Sequence, residues 1–335
     1  MKILRSYCFI SVLLLVFIGS PLSNAKVPDV ISVFPINTKQ SVIVTPLFEI
    51  FNDTTSGKDW DSYPINANPG VGKRWVLQEN ISDDFNYKSP AKIKSKPFRQ
   101  KWKDWYHNSW TGPGLTIWSR TNSYVRDGML TLFCSRVKGT NNVHTGIITS
   151  KKRVQYPIYI ETRAKIANTV IASNAWLLSP DDTQEIDFLE SYGGEYSENA
   201  DADLSWFAQR IHISHHVFIR KPFQDYQPKD PGSWYHNGNK LWKDDFHTYG
   251  VYWKNPWHLE YYIDGEMVRK VVGEHIIDPK KFTAGTGLNK EMDIIINMED
   301  QDWRSKKGIT PSDNELSVDE NTIFKVDWIR VYKPQ

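Results

Sequence analysis

The 335-residue sequence predicts an all-β fold, an antiparallel sandwich or barrel, on three observations. Helical periodicity is scarce. Short alternating or apolar segments recur, bounded by Gly, Pro, Asn and Asp. No helical patterns are interleaved between them, as the crossovers of a parallel sheet would require. In chain order the segments are "MLTLFCSRV" from Met129, "IYIETRAKI" from Ile158, "RIHISHHVFIR" from Arg210, "FHTYGVYW" from Phe246, "DIIINME" from Asp293 and "IFKVDWIRVY" from Ile323. Between the fourth and fifth, "HLEYYIDGEMVRKV" reads as a hairpin turning at Asp264-Gly265, a pair that tolerates the positive φ of a tight turn. Many short strands of this kind close into a sandwich or a barrel.

The chain begins with a different pattern. Lys2 and Arg5 precede the apolar run "YCFISVLLLVFIG", and "SNA" at 23–25 offers a small residue at a cleavage position. This predicts a secretory signal peptide over residues 1–25, since the run is short for a membrane-spanning helix. Residues 26–56, with "QSVIVTPLFEIF", are expected to form an N-terminal extension or an extra edge strand. From residue 57 to residue 335 no repeat and no flexible linker divides the chain, so one domain is expected. Cys8 leaves with the signal, and Cys134 is expected as a buried free thiol. No later apolar stretch is long enough to span a bilayer.

Removal of the signal leaves 39 basic and 39 acidic residues, a formal charge of zero. Such a balance argues against a nucleic-acid partner. The 14 Trp, 16 Tyr and 15 Phe suit a neutral ligand rich in C–H surface, such as a sugar, although a large sandwich also buries aromatics in its core. One local departure is the run from Lys88 to Lys103, with seven Lys or Arg and no acid. It is expected to be a solvated loop, or else a contact for an anionic polymer.

The chemistry concentrates in "TQEIDFLESYGG", residues 183–194. In a regular strand Glu185 and Asp187 share one face and Glu190 points to the other. A β-bulge at Phe188-Leu189 resets the alternation and brings Glu190 beside its companions. The two glutamates would then lie about four strand steps apart, roughly 13 Å between Cα atoms. Side chains leaning together would bring the carboxyls to about 5–5.5 Å, the separation used for glycoside cleavage with retention. Glu185 would attack the anomeric carbon, and Glu190 would protonate the leaving oxygen and then activate water. Asp187 would add charge and a hydrogen bond, and like charges would keep Glu190 protonated. Three spaced acids alone are a weak signal, and a solvated edge strand could carry them. Ile186, Phe188 and Leu189 argue instead for a buried strand, where unpaired acids are costly.

The "EIDFLE" motif resembles the signature of glycoside hydrolase family 16 in its bulged form. Further blocks, "WVLQENISDDFNY", "NSWTGPGLTIWS", "NAWLLSPDDTQEIDFLESYGG", "HISHHVFIRKPFQDYQP", "FHTYGVYWKNPWHLEYYIDG" and "INMEDQDWR", resemble the agarase and porphyranase branch over about residues 57–335. The resemblance implies a concanavalin A-like β-jelly roll of two antiparallel sheets with a concave catalytic cleft. It implies endo-hydrolysis, with retention, of β-1,4 bonds in an agar-type galactan, by a monomer that needs no cofactor for catalysis. By the same match Trp176 and Trp110 are expected to stack on sugars, and His216, Arg220 and Glu299 to hydrogen-bond galactose units. His247 is expected near the catalytic strand, and Asp327 could hold a structural calcium. Ile117 stands where compared agarases often carry an acid, which sets that subsite apart.

Within "RIHISHHVFIR", alternation places His212, Ser214, His216, Phe218 and Arg220 on one face, suited to a cleft. Ile211, Ile213, His215, Val217 and Ile219 fall on the other, with His215 as a core histidine. The histidines lack the spacing of a catalytic metal site. The leading expectation is an endo-β-agarase. A porphyranase, which needs a cationic pocket for sulfate, and a noncatalytic galactan-binding sandwich are the alternatives.

Overall fold

The computed structural model describes residues 59–335, which fall within one compact unit. The expected signal peptide and the expected extension over 26–56 lie outside the described residues. Two sheets dominate, as the segment pattern predicts. Eight strands frame the site, numbered in chain order: β1 (Ile158–Lys165), β2 (Ala172–Leu178), β3 (Gln184–Ser191), β4 (Ile211–Arg220), β5 (Phe223–Tyr226), β6 (His247–Asn255), β7 (Asp293–Glu299) and β8 (Ile323–Pro334). One layer runs β5-β4-β3-β2-β7 and continues to Ile147–Ser150; the other has β6-β1-β8 at its centre. All these pairings are antiparallel. A short parallel pair, Thr116–Trp118 with Val143–Thr145, extends the second layer.

Alternation builds the core. Ile186, Phe188 and Leu189 of β3, Ile213 and Val217 of β4, and Ile294 and Ile296 of β7 meet Ile160, Val251, Val326 and Ile329 of the other layer in one apolar cluster. The opposite faces of β3 and β4 are thereby left free for polar groups. The hairpin of His258–Ile263 with Glu266–Val272 turns at Asp264 (φ 50°) and Gly265 (φ 80°), as their chemistry predicts. Cys134 is a buried free thiol. No described helix is long and apolar enough to cross a membrane.

The basic run is solvated at Lys88, Lys92, Lys96, Arg99 and Lys103, as expected, but it is not simply a loop and not all of it faces water. Residues Lys96–Lys101 form a helix, α1, with Pro97 in its first turn. Phe98 and Trp102, one helical turn apart, enter the core and pull the run inward. Lys94 is buried, and its ammonium donates to the carbonyls of Ala91, Arg120 and Ser123 at 2.8, 2.9 and 2.6 Å. Burial lowers its pKa to about 8. Lys94 and Lys101 hold protein backbone, and no lysine of the run lines the catalytic-strand cleft.

Candidate active site

The register of β3 breaks where its third acid requires. On β4, Glu185 faces His216, Asp187 faces Ser214, and Glu190 faces His212. Phe188 and Leu189 thus span the interval that Ile213 fills alone. On β2, Asp187 pairs with Trp176 and Leu189 with Ala175, so Phe188 is the additional residue. Both bulge residues are fully buried. The bulge turns Glu190 into the same cleft as Glu185 and Asp187, a cavity of about 770 Å³ also lined by Trp110, Trp176, His216, Arg220 and Glu299.

The two ends of the trio differ electrostatically. Glu185 and Asp187 share a hydrogen bond, and both are raised well above ordinary carboxylate values. Burial is the largest cause; next come Asp187 and Glu299 acting on Glu185, and Glu190 and Glu299 acting on Asp187. Asp187 Oδ2 has no hydrogen-bond partner among the described residues. Glu190 behaves oppositely. Burial raises its pKa, but His212 Nδ1 at 2.7 Å and the Tyr192 hydroxyl at 2.5 Å outweigh that and hold it below its ordinary value. The expectation that like charges keep Glu190 protonated is corrected here: donors on both its oxygens overcome the neighbouring carboxylates.

His216 stands between the two ends. Its Nδ1 meets Asp225 Oδ1 at 2.8 Å and its Nε2 meets Gln227 Nε2 at 2.7 Å. Nδ1 therefore donates to the carboxylate while Nε2 accepts from the amide. The same Nε2 lies 3.9 Å from Glu185 Oε1 and 3.7 Å from Asp187 Oδ2. Among the described residues, Glu185, Asp187 and His216 are the group whose ligand atoms come close enough to share an ion, but Gln227 already occupies the imidazole lone pair.

The aromatic wall is fixed by a hydrogen-bonded chain. Trp176 Nε1 donates to Asn297 Oδ1 at 2.7 Å, and Asn297 Nδ2 donates to Glu299 Oε2 at 2.9 Å. Burial pushes Glu299 up to about 8 despite this donor and a second from Gln301. Tyr106 packs on both Trp176 and Trp110. The loop bearing Trp110 nests against the end of β7 because Gly114 is glycine: a Cβ there would sit 2.5 Å from the Asp300 carbonyl oxygen. Arg220 lies over the Phe218 and Phe223 rings at the open end. Behind it His107 bridges Asp182 (2.5 Å) and Asp293 (3.1 Å). Burial would lower this histidine, but the two carboxylates raise it to about 9.

Two expected site residues are not brought together with the rest. His247 lies on β6 in the other layer, where Nδ1 contacts Asp264 Oδ2 at 2.9 Å, and it does not line the cleft. Its local motif could not reveal which sheet the strand joins. Asp327, on β8, is ion-paired with Arg163 at 2.6 Å. A calcium ion needs six to eight oxygen ligands, and Asp327 belongs to no group of three metal-binding side chains among the described residues. A carboxylate facing a guanidinium does not fit that role. His215, by contrast, is a core histidine bonded to the Ile277 carbonyl.

Sequence reading missed Tyr106, Tyr192, Asp225, Gln227 and Trp234. Tyr192 was within reach, because it follows Glu190 by two residues and strand parity puts both on one side. Asp225 and Gln227 show their role only once β5 is seen folded against β4.

Residues 75–334 match the family model described as "Beta-porphyranase A-D, GH16 domain". The chain is 55% identical over 300 residues to β-agarase B of Zobellia galactanivorans, covering 84% of each chain. It is 53% identical to a β-agarase of Phocaeicola plebeius, over 82% of this chain and 90% of that one. The structure of an inactivated β-agarase B in complex with agaro-octaose superposes with a TM-score of 0.81 at 56% identity, over 83% of this chain and 99% of the other. A β-porphyranase B of Phocaeicola plebeius is more distant, at 24% identity over 78% of this chain and 85% of that one.

Proposed function

This chain belongs to glycoside hydrolase family 16, and on that premise we propose that it is a retaining endo-β-agarase, cutting β-1,4 galactosidic bonds in agarose. The observation that carries the reading is the bulge, which sets Glu185, Asp187 and Glu190 side by side in one cleft. Glu185 attacks the anomeric carbon as the C–O bond to the leaving sugar breaks, and Glu190 delivers a proton to that oxygen. Glu190, now a carboxylate, then takes a proton from water, whose oxygen displaces Glu185 from the sugar. The donors from His212 and Tyr192 stabilise Glu190 in this second, basic form.

The proton for the first half belongs to the cluster as a whole. Glu185 and Asp187, in hydrogen-bond contact, cannot both ionise cheaply, so they titrate as one unit. When Glu185 forms its ester its negative charge disappears, and the repulsion acting on Asp187 falls with it. No metal-bound step is required by this scheme, and Asp327 has no part in it.

Agarose is favoured over a sulfated galactan by the charge of the walls. Among the described residues the cleft is lined by seven carboxyl groups (Asp182, Glu185, Asp187, Glu190, Asp225, Glu299 and Asp302), of which burial holds Glu185, Asp187 and Glu299 towards the neutral form, and by Arg220 as its one guanidinium, with no lysine. A sulfate would meet net repulsion over most of this surface. The identities above 50% to β-agarases support the same choice over the description of the family model. A polysaccharide substrate cannot enter a cell intact, which supports export by the segment at residues 1–25.

Reducing-sugar release from agarose, porphyran and κ-carrageenan tests the reading. Cleavage of agarose is expected. Cleavage of porphyran alone would replace it with a porphyranase, and binding without cleavage would replace it with a lectin-like role.

A further inference from the structure

The two-carboxylate mechanism leaves one buried charge unused. Arg304 lies on the short helix α2 (Asp302–Ser305), just beyond β7, and is 1% exposed. A guanidinium carries five N–H donors, yet none of its three nitrogens has a hydrogen-bond partner among the described residues. Its central carbon sits instead 4.0 Å from the ring centre of Tyr192, with Phe207 at 4.8 Å and Trp303 at 5.3 Å. A methionine or leucine would fill such a box without the cost of desolvating a cation. The charge therefore needs an explanation that packing does not supply.

Tyr192 provides it. The ring that faces Arg304 carries the hydroxyl that donates to Glu190 Oε1, while His212 holds the other oxygen. The groups facing Glu190 are Glu185, Asp187 and Tyr192 from its own segment, His212 and His216 from β4, Glu299 from β7 and Arg304 from α2. Arg304 brings to this group a guanidinium, whose charge ordinary pH does not remove. Burial pulls the guanidinium below its ordinary value, while Tyr192, Glu190 and Asp300 act to hold the charge in place.

We propose that Arg304 is a positioning residue for the acid/base: its fixed charge, acting through the Tyr192 ring and hydroxyl, biases Glu190 towards the carboxylate. This rests on the reading of Glu190 as the acid/base. Arg304 touches no substrate. It sets how readily Glu190 gives up its proton and how ready it is to serve as base when water arrives.

The test is kcat/KM against pH on a soluble agarose oligosaccharide for the parent, R304M, R304K and Y192F. Removing the charge makes Glu190 hold its proton longer. Because Glu190 is held below the Glu185–Asp187 pair, it sets the acidic limb, and that limb is expected to move up by about one pH unit in R304M. R304K keeps the charge and is expected to stay near the parent. Y192F is expected to move the limb in the same direction, with little further change when R304M is added to it. Parent-like limbs in both R304M and Y192F, whatever their activity or thermal stability, would reduce Arg304 to packing. If R304M does not fold, Y192F and R304K decide: a parent-like limb in Y192F, or R304K shifted as far as Y192F, overturns the proposal. A parent that cleaves agarose and loses this with E190Q upholds the functional reading whatever Arg304 does, so the two can fail separately.

Discussion

In the outer layer, the buried carboxylate of Glu161 on β1 accepts from Arg330 of β8 (Nε at 2.8 Å) and from the Tyr159 hydroxyl (2.8 Å). The spare donors of Arg330 go to the carbonyls of Trp60 and Tyr63, at 2.8 and 2.6 Å. In the cleft layer, Glu185 and Asp187 lie beside each other with no lysine or arginine in bonding distance, and one Asp187 oxygen has no partner among the described residues. Both sites bury acids on central strands. The first matches every charge and ties the segment around Trp60–Pro64 to the sheet. The second gathers like charges and leaves them mismatched, which costs folding energy and prepares a proton and a nucleophile for a substrate.

Substitutions that exchange the two outcomes sharpen this contrast. E185Q in the cleft is expected to cut kcat on agarose by about 10⁴-fold or more. It should also stabilise the fold. Glu185 has a folded pKa raised above its ordinary 4.5, so its charge opposes folding once the pH exceeds that value, and the penalty vanishes in more acidic solution. The gain in Tm of E185Q over the parent is therefore expected at neutral pH and absent below about pH 4. Thermal scans at both pH values check the sign; a destabilised E185Q at neutral pH would show that the trio is not under repulsion.

R330M in the outer layer should do the reverse. Leaving Glu161 buried without its cation is expected to cost about 3–5 kcal/mol in denaturant unfolding. Activity per folded molecule should remain near that of the parent, since neither residue lines the cleft. A large loss of kcat with little loss of stability would erase the distinction between the layers.

The smallest effect is expected at His107, where charge is matched at the edge of the cleft. Its folded pKa of about 9 exceeds the ordinary 6.5. The stability it supplies is fully present below about pH 6.5 and is lost as pH rises through about 9. The difference in Tm between the parent and H107Q should shrink across that window. A difference independent of pH would mean that the clamp on Asp182 and Asp293 does not depend on charge.

The parts of this arrangement that are legible in the sequence are those encoded by parity. Glu190 is out of step with Glu185 and Asp187 by one residue, and a bulge between Phe188 and Leu189 is the simplest repair. The alternation of β4 separates His212, His216 and Arg220 from Ile211, Ile213 and Val217, and the structure divides them the same way. What parity cannot encode is which strands become neighbours. That is why His247, expected near the cleft, lies on the other sheet, and why Lys94, expected in solvent, lies among carbonyls. The direction of Glu190 escapes the sequence for a related reason: the neighbouring acids are visible along β3, but the donor His212 comes from β4. Arg304 reaches Tyr192 only after β7 pairs with β2, the neighbour of β3, and the helix that follows it packs against the residues after β3, a contact with no local signature.

The anomer formed first tests the central claim most directly. Proton NMR during the first minutes of agarose hydrolysis, before mutarotation, reports whether the newly exposed reducing end begins as β or α. A trio turned into one cleft by the β3 bulge, with Glu185 bonding to the sugar and Glu190 serving first as acid and then as base, yields the β-anomer first. Initial release of the α-anomer would mean a single displacement by water and would contradict the roles given to Glu185 and Glu190.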